Sequence, residues 1–138
     1  MQYLFVEDPK LFEVPKDLSA FRCVILIEKT IDAADRAKIS KQLVDAGCLY
    51  AMAWGIDCSS WDDSIDEANI DQFFPRSVPD NKFVMTTWHS KESIEEVFFF
   101  AKFNAVLSYD NIKLVDLLVL DLGLIPREAE IMRVYETA

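Results

Sequence analysis

Four short apolar runs, each followed by a segment of helical character, constrain this chain more than any single motif. They are "FRCVILIE" (Phe21–Glu28), "CLYAMAWG" (Cys48–Gly55), "KFVMTTWH" (Lys82–His89) and "KLVDLLVLDLG" (Lys113–Gly123). Their shortness and their β-branched and aromatic content read as strands. The second has no polar alternation except Tyr50, the pattern of a strand covered on both faces.

Between the runs the periodicity changes. In "IDAADRAKISKQLVDAG", Ile39, Leu43 and Ala46 recur at helical spacing, and Gly47 stands where a left-handed C-terminal cap belongs. "SSWDDSIDEANIDQFF" reads as a second helix, with Ser60 as N-cap, acids in its first turn, and an apolar stripe of Trp61, Ile65 and Ala68. "PRSVPDNK" is a loop. Ser90 or Ser93 caps a third helix, "SIEEVFFFAKFNAVL", whose Phe98, Phe99, Phe100 and Phe103 make it apolar nearly all round and expected to be buried. "PREAEIMRVYE" is a closing helix with Pro126 in its first turn.

This strand–helix alternation predicts one α/β domain: three layers, a mainly parallel sheet of four to five strands, and helices on both faces. The length of 138 residues fits a single domain. Residues 1–20 form an N-terminal extension, or an edge strand around "YLFVE". Strand order is not legible.

Charge narrows the partners. The chain carries 24 acidic against 14 basic residues, a net charge of −10. Nucleic acid and anionic membranes are bound through clustered lysine and arginine, so neither is expected, whereas the charge permits a basic protein partner, a metal ion or a cationic ligand. No apolar run approaches the ~18–20 residues that span a bilayer, and the N-terminus lacks the pattern of a signal peptide. Three cysteines without disulfide-like spacing suit a reducing, cytoplasmic compartment.

Ligands of parallel sheets usually bind beyond the carboxyl ends of the strands, near the point where strand order reverses. Glu28, Asp57, Cys58, Trp88, His89 and Asp121 all fall at that rim. One reading pairs Cys58 as nucleophile with His89, the chain's single histidine, as base and Asp57 or Glu28 as the orienting acid. The alternative is that Cys58 is filler and His89 a satisfied polar strand end. A second reading gathers Asp57, Asp62, Asp63 and Asp66 around a divalent cation, although the spacing lacks a calcium loop's alternating acids and turn glycine. Helix capping and a solvated face explain the same acids.

A third reading concerns the second helix as a surface. Asp62–Asp66, Asp63–Glu67 and Glu67–Asp71 are like-charge pairs one turn apart, each costing roughly 0.2–0.5 kcal/mol, and no lysine or arginine lies between Asp62 and Asp71. Such a face suits a basic partner. No glycine-rich phosphate cradle is present, so no nucleotide cofactor is expected. Trp54, Trp61 and Trp88 are expected in the core rather than lining a pocket.

"CLYAMAWGIDCSSWDDSIDEAN" and "FVMTTWHSKESIEEVFFFAKFNA" resemble a family of small bacterial proteins known only as a domain of unknown function. The likeness covers about Cys48 to Ala105 with the strand before it. It implies a bacterial or phage-related source and a stand-alone small domain, and it brings no chemistry with it. The expectation from the residues is a small acidic cytosolic interaction protein, of the immunity or defence-associated kind. Asp62, Asp63, Asp66 and Glu67 are its binding residues, Trp61 its aromatic anchor, and Trp88 and Glu28 lie nearby. The alternative is a hydrolase or transferase using Cys58, His89 and Asp57.

Overall fold

The fold is described from a computed structural model over residues 1–107 and 114–138. Five strands form one parallel sheet: β1 (Gln2–Phe5), β2 (Phe21–Ile27), β3 (Cys48–Gly55), β4 (Met85–His89) and β5 (Asp116–Leu122). Their order is β1-β5-β2-β3-β4. The expected single α/β domain is what the chain forms. "YLFVE" supplies an edge strand paired with β5. Lys113, expected to begin the last strand, lies outside the described residues, and the strand itself begins at Asp116.

The four helices are α1 (Ala33–Ala46), α2 (Cys58–Phe73), α3 (Ile94–Phe103) and α4 (Glu128–Thr137). Each buried strand sends alternate side chains to opposite faces. Cys23, Ile25, Ala51, Ala53, Leu118 and Leu120 pack with Ile39 and Leu43 of α1 and Trp61 and Ile65 of α2. Val24, Leu26, Met52 and Val119 pack with Val97 and Phe98 of α3 and Ile131 of α4. These are the two cores of a three-layer domain. β2 lies at its centre and is buried along its whole length.

Helix ends follow local chemistry. Asp32 caps α1 by accepting the Asp35 N–H, and Gly47 closes it at φ 107°. Ser93, not Ser90, caps α3, in a reciprocal pair with Glu96. The expected Ser60 cap of α2 is corrected. The helix begins three residues earlier, because Asp57 turns left-handed (φ 55°) and its backbone carbonyl accepts from Ser60 and Trp61. Its first turn therefore holds no acid. The expectation of a wholly buried α3 is also corrected. Phe98 is buried, but Phe99 and Phe103 are half exposed and stack on each other at 4.8 Å.

The tight passage from β3 into α2 depends on Gly55. It has φ 105°, and a Cβ there would stand 2.1 Å from the Ile27 carbonyl oxygen. The next amide, Ile56 N–H, donates to that oxygen at 2.8 Å.

Candidate functional site

The order of strands reverses between β2 and β5. The chain leaves β2 toward α1 on one face and leaves β5 toward α4 on the other, which opens a crevice between the two carboxyl ends. In this protein that crevice is filled from within. Asp121, fully buried, accepts from Arg127 Nε at 2.9 Å and Nη2 at 3.1 Å, and from the Tyr3 hydroxyl at 2.6 Å. Arg127 also pairs with Glu28, and its backbone N–H donates to the Tyr3 oxygen at 3.0 Å. Burial, then the Asp121 hydrogen bond, push the Tyr3 hydroxyl up to about 12. Burial works against the guanidinium charge, but Asp121 and Glu28 outweigh it and hold Arg127 above its ordinary value. Glu28, expected at a binding site, is thus part of an internal ion-pair network.

His89 lies deeper on the rim than expected. Its ring is 95% buried, with Nε2 bonded to Thr87 Oγ1 at 2.8 Å and Nδ1 to Glu92 Oε2 at 2.6 Å, and Phe100 packs edge-on against it. Glu28, Trp54, Gly55, Ile56 and His89 line an open cavity of about 510 Å³. Trp54 closes one side by donating its indole N–H to the Glu92 carbonyl.

The expected Cys58–His89 pair is not assembled. Thr87 and His89 point to the α3 side of the sheet, whereas Cys58 opens α2 on the other side, 4% exposed in the core with Trp61. Both ring nitrogens of His89 already have partners. Asp57 is exposed at the α2 start and makes no side-chain capping bond. Burial pushes the Cys48 thiol up to about 12 and Cys23 also well upward. Native-state alkylation at pH 8 is therefore expected to leave all three buried thiols unmodified over the time that labels them fully in urea. Fast labelling of Cys58, slowed in His89→Ala, would contradict this placement.

Among the described residues no group of three or more histidine, cysteine or carboxylate side chains converges as a metal ligand set.

The acids of α2 separate into two sets. Asp63, Glu67 and Asp71 are exposed. Asp66 turns toward β4, where it accepts from the Thr86 hydroxyl at 3.0 Å, and Asp62 lies one turn before it on the same side of the helix. Asp62 is 93% buried, and its Oδ1 has no hydrogen-bond partner. Burial raises Asp66 above its ordinary range, the Thr86 bond opposes the shift, and Asp62 and Asp63 add to it. Among the described residues none of the five α2 acids takes part in an ion pair, while Glu28, Asp35, Asp45 and Asp121 all do.

The tryptophans divide otherwise than expected. Trp61 is 1% exposed and belongs to the core, so it is no surface anchor. Trp88 on β4 is 54% exposed and stands on the α2 side of the sheet with Thr86. The sequence signal that could have separated them is helical phase. Trp61 shares the stripe of Ile65, whereas Trp88 alternates with His89 in a strand whose neighbours are threonines.

A family model described as a domain of unknown function (DUF7684) matches residues 1–138, so the chain belongs to that family over its whole length and not only through its middle. No curated protein and no solved structure matches it. Among the described residues no helix is long and apolar enough to cross a membrane.

Proposed function

We propose that this protein is a small acidic binding module of the cytosol, and that it takes a basic protein segment along the side of the domain formed by α2 and β4. The observation that carries this reading is that Asp62, Asp63, Asp66, Glu67 and Asp71 form no ion pair among the described residues. They repel one another along a helix that contains no cation, and Asp66 is shifted upward as a result of burial and that crowding. Apart from the Thr86 bond to Asp66, the like charges one turn apart cost the helix stability, whereas a basic partner relieves them. The buried thiols, none in a disulfide, agree with a reducing compartment. The immunity or defence role expected from the sequence reduces, at this level, to its chemistry: the partner is cationic.

A catalytic reading has less support, since the rim offers no assembled nucleophile and base, and the switch-point crevice is occupied by Arg127.

The test is affinity for short labelled peptides of basic, neutral and acidic composition, read by fluorescence anisotropy. The basic peptide is expected to bind alone. Its affinity should fall at least about tenfold between 0.1 M and 1 M salt, where the screening length shrinks from about 10 Å to about 3 Å. The variant Asp63→Asn/Asp66→Asn/Glu67→Gln should lose most of the binding while remaining at least as stable as the parent. Equal binding of the neutral peptide, or no change on removing the three charges, would overturn the reading.

A further inference from the structure

β4 is an edge strand: among the described residues it pairs with β3 and with no other strand. Edge strands are commonly guarded against pairing by lysine, proline, a bulge or a covering segment. The sequence of β4, "MTTWH", contains neither lysine nor proline, and its register against β3 is unbroken from Met85 to His89. Threonine and tryptophan are instead residues that favour pairing.

The helix beside this edge is in register with it. Asn69 Oδ1 accepts from the Val84 N–H at 3.0 Å, and Asp66 Oδ1 accepts from the Thr86 hydroxyl at 3.0 Å. Moving back along α2 thus moves forward along β4. Four helical residues rise about 6 Å and two strand residues about 6.6 Å. The next level therefore sets Asp62 beside Trp88.

Asp62 is the group at this level that lacks a partner. Three buried side-chain atoms among the described residues make no hydrogen bond. Glu28 Oε1 is ion-paired with Arg127, and Arg22 Nε belongs to a guanidinium whose other nitrogens bond Ala101 and Val115 carbonyls. The third is Asp62 Oδ1, held out of water, on the residue that this register sets level with the half-exposed Trp88. A guanidinium satisfies both neighbours at once, because its plane stacks on an indole while its N–H groups bond a carboxylate.

Resting on the binding function proposed above, we propose that the basic segment adds to β4 as a further strand, with one arginine lying over Trp88 and donating to Asp62, and Asp66 alongside. In an added strand every second side chain falls on the α2 side of the sheet with Thr86 and Trp88. The recognised pattern is therefore arginine alternating with small or β-branched residues, not a block of positive charge.

The experiment compares five labelled peptides: alternating arginine and threonine; the same composition in two blocks; the alternating peptide with lysine for arginine; and two alternating arginine peptides, one with N-methyl groups along one backbone edge and one with them along the other. Binding is measured to the parent, Asp62→Asn, Trp88→Ala, and Glu130→Gln on α4 as the remote control. The alternating arginine peptide is expected to bind most tightly. N-methylation on the edge that faces β4, and separately Asp62→Asn, should each cost about tenfold or more, as the loss of bonds to a charged or backbone partner does. Lysine should be weaker, and Glu130→Gln should match the parent. Equal affinity of the blocked and alternating peptides, with no effect of N-methylation on either edge, would overturn strand addition while leaving an acidic binding face intact. Failure of every basic peptide to bind would overturn both. The comparison among peptides is made on the parent protein, so that part of the result does not depend on any variant folding.

Discussion

Replacing Arg127 by leucine is expected to lower stability by about 3–5 kcal/mol, among the largest effects of any single side chain here. Asp121 is fully buried and takes two of its hydrogen bonds from the Arg127 guanidinium. Removing one partner of a buried ion pair leaves the other charge out of water and uncompensated. Tyr3 alone would then hold the carboxylate. The same change frees Glu28 and leaves Tyr3 as the one side chain on the carboxylate, so the damage reaches β1, β2 and β5 together. For a chain of this length the midpoint of thermal unfolding should fall by roughly 10 °C or more. Urea melts of Arg127→Leu and of Asp121→Leu/Arg127→Leu check the cause. The double variant should recover much of the loss, because it no longer buries an unpaired charge. A loss under about 1 kcal/mol in the single variant would mean that water reaches Asp121.

The second large effect is expected at Gly55. A methyl group there meets the Ile27 carbonyl oxygen at 2.1 Å, a backbone atom that cannot move without parting β2 from β3. The positive φ adds strain for any residue with a Cβ. Gly55→Ala should cost about 3 kcal/mol or more. Gly47→Ala provides the comparison: it shares the positive φ, but its nearest neighbour is 3.3 Å away, so its cost should be nearer 1 kcal/mol. Gly55→Ala should also weaken binding of a basic peptide, since it shifts the two-residue link that sets the register of α2 against β4. Equal costs at the two glycines, read from urea melts, would place the burden on φ alone.

Much of the architecture is legible in the residues, and the reasons are local. "FRCVILIE" has no side chain suited to water between Cys23 and Ile27, and β2 is the central strand. Gly47 ends α1 as its position in the pattern requires. The caps of α2 and the exposure of Phe99 and Phe103 were not legible, because both depend on where the neighbouring element stops. A two-residue link forces α2 to begin at Cys58, and α3 presents only one side to the sheet.

The site is less legible than the fold, for a reason of parity. Thr86 and Trp88 face α2 while Thr87 and His89 face α3, and nothing in "MTTWH" says which set points where until the strand is docked. This separates Cys58 from His89 although both lie at strand ends, and it turns Trp88 outward while Trp61 is buried. The acids of α2 were visible from their spacing alone. What spacing could not show is that Asp62 is 93% buried with one carboxylate oxygen lacking a donor. Likewise "LLVLDLG" announces that a carboxylate enters the sheet at Asp121, but its partners come from Arg127 and from Tyr3, more than a hundred residues away.

The most direct measurement of the central claim is a nuclear magnetic resonance titration of the isotope-labelled protein with the alternating arginine–threonine peptide, following every backbone amide. The amides of Asp62 to Glu67 and of Met85 to His89 should shift together, with saturation at a common peptide concentration, and the Trp88 indole signal should move with them while that of Trp61 stays still. Shifts confined to the rim around Gly55, Ile56 and Glu92, or no shift at any concentration of the peptide, would contradict a basic-segment binding face on α2 and β4.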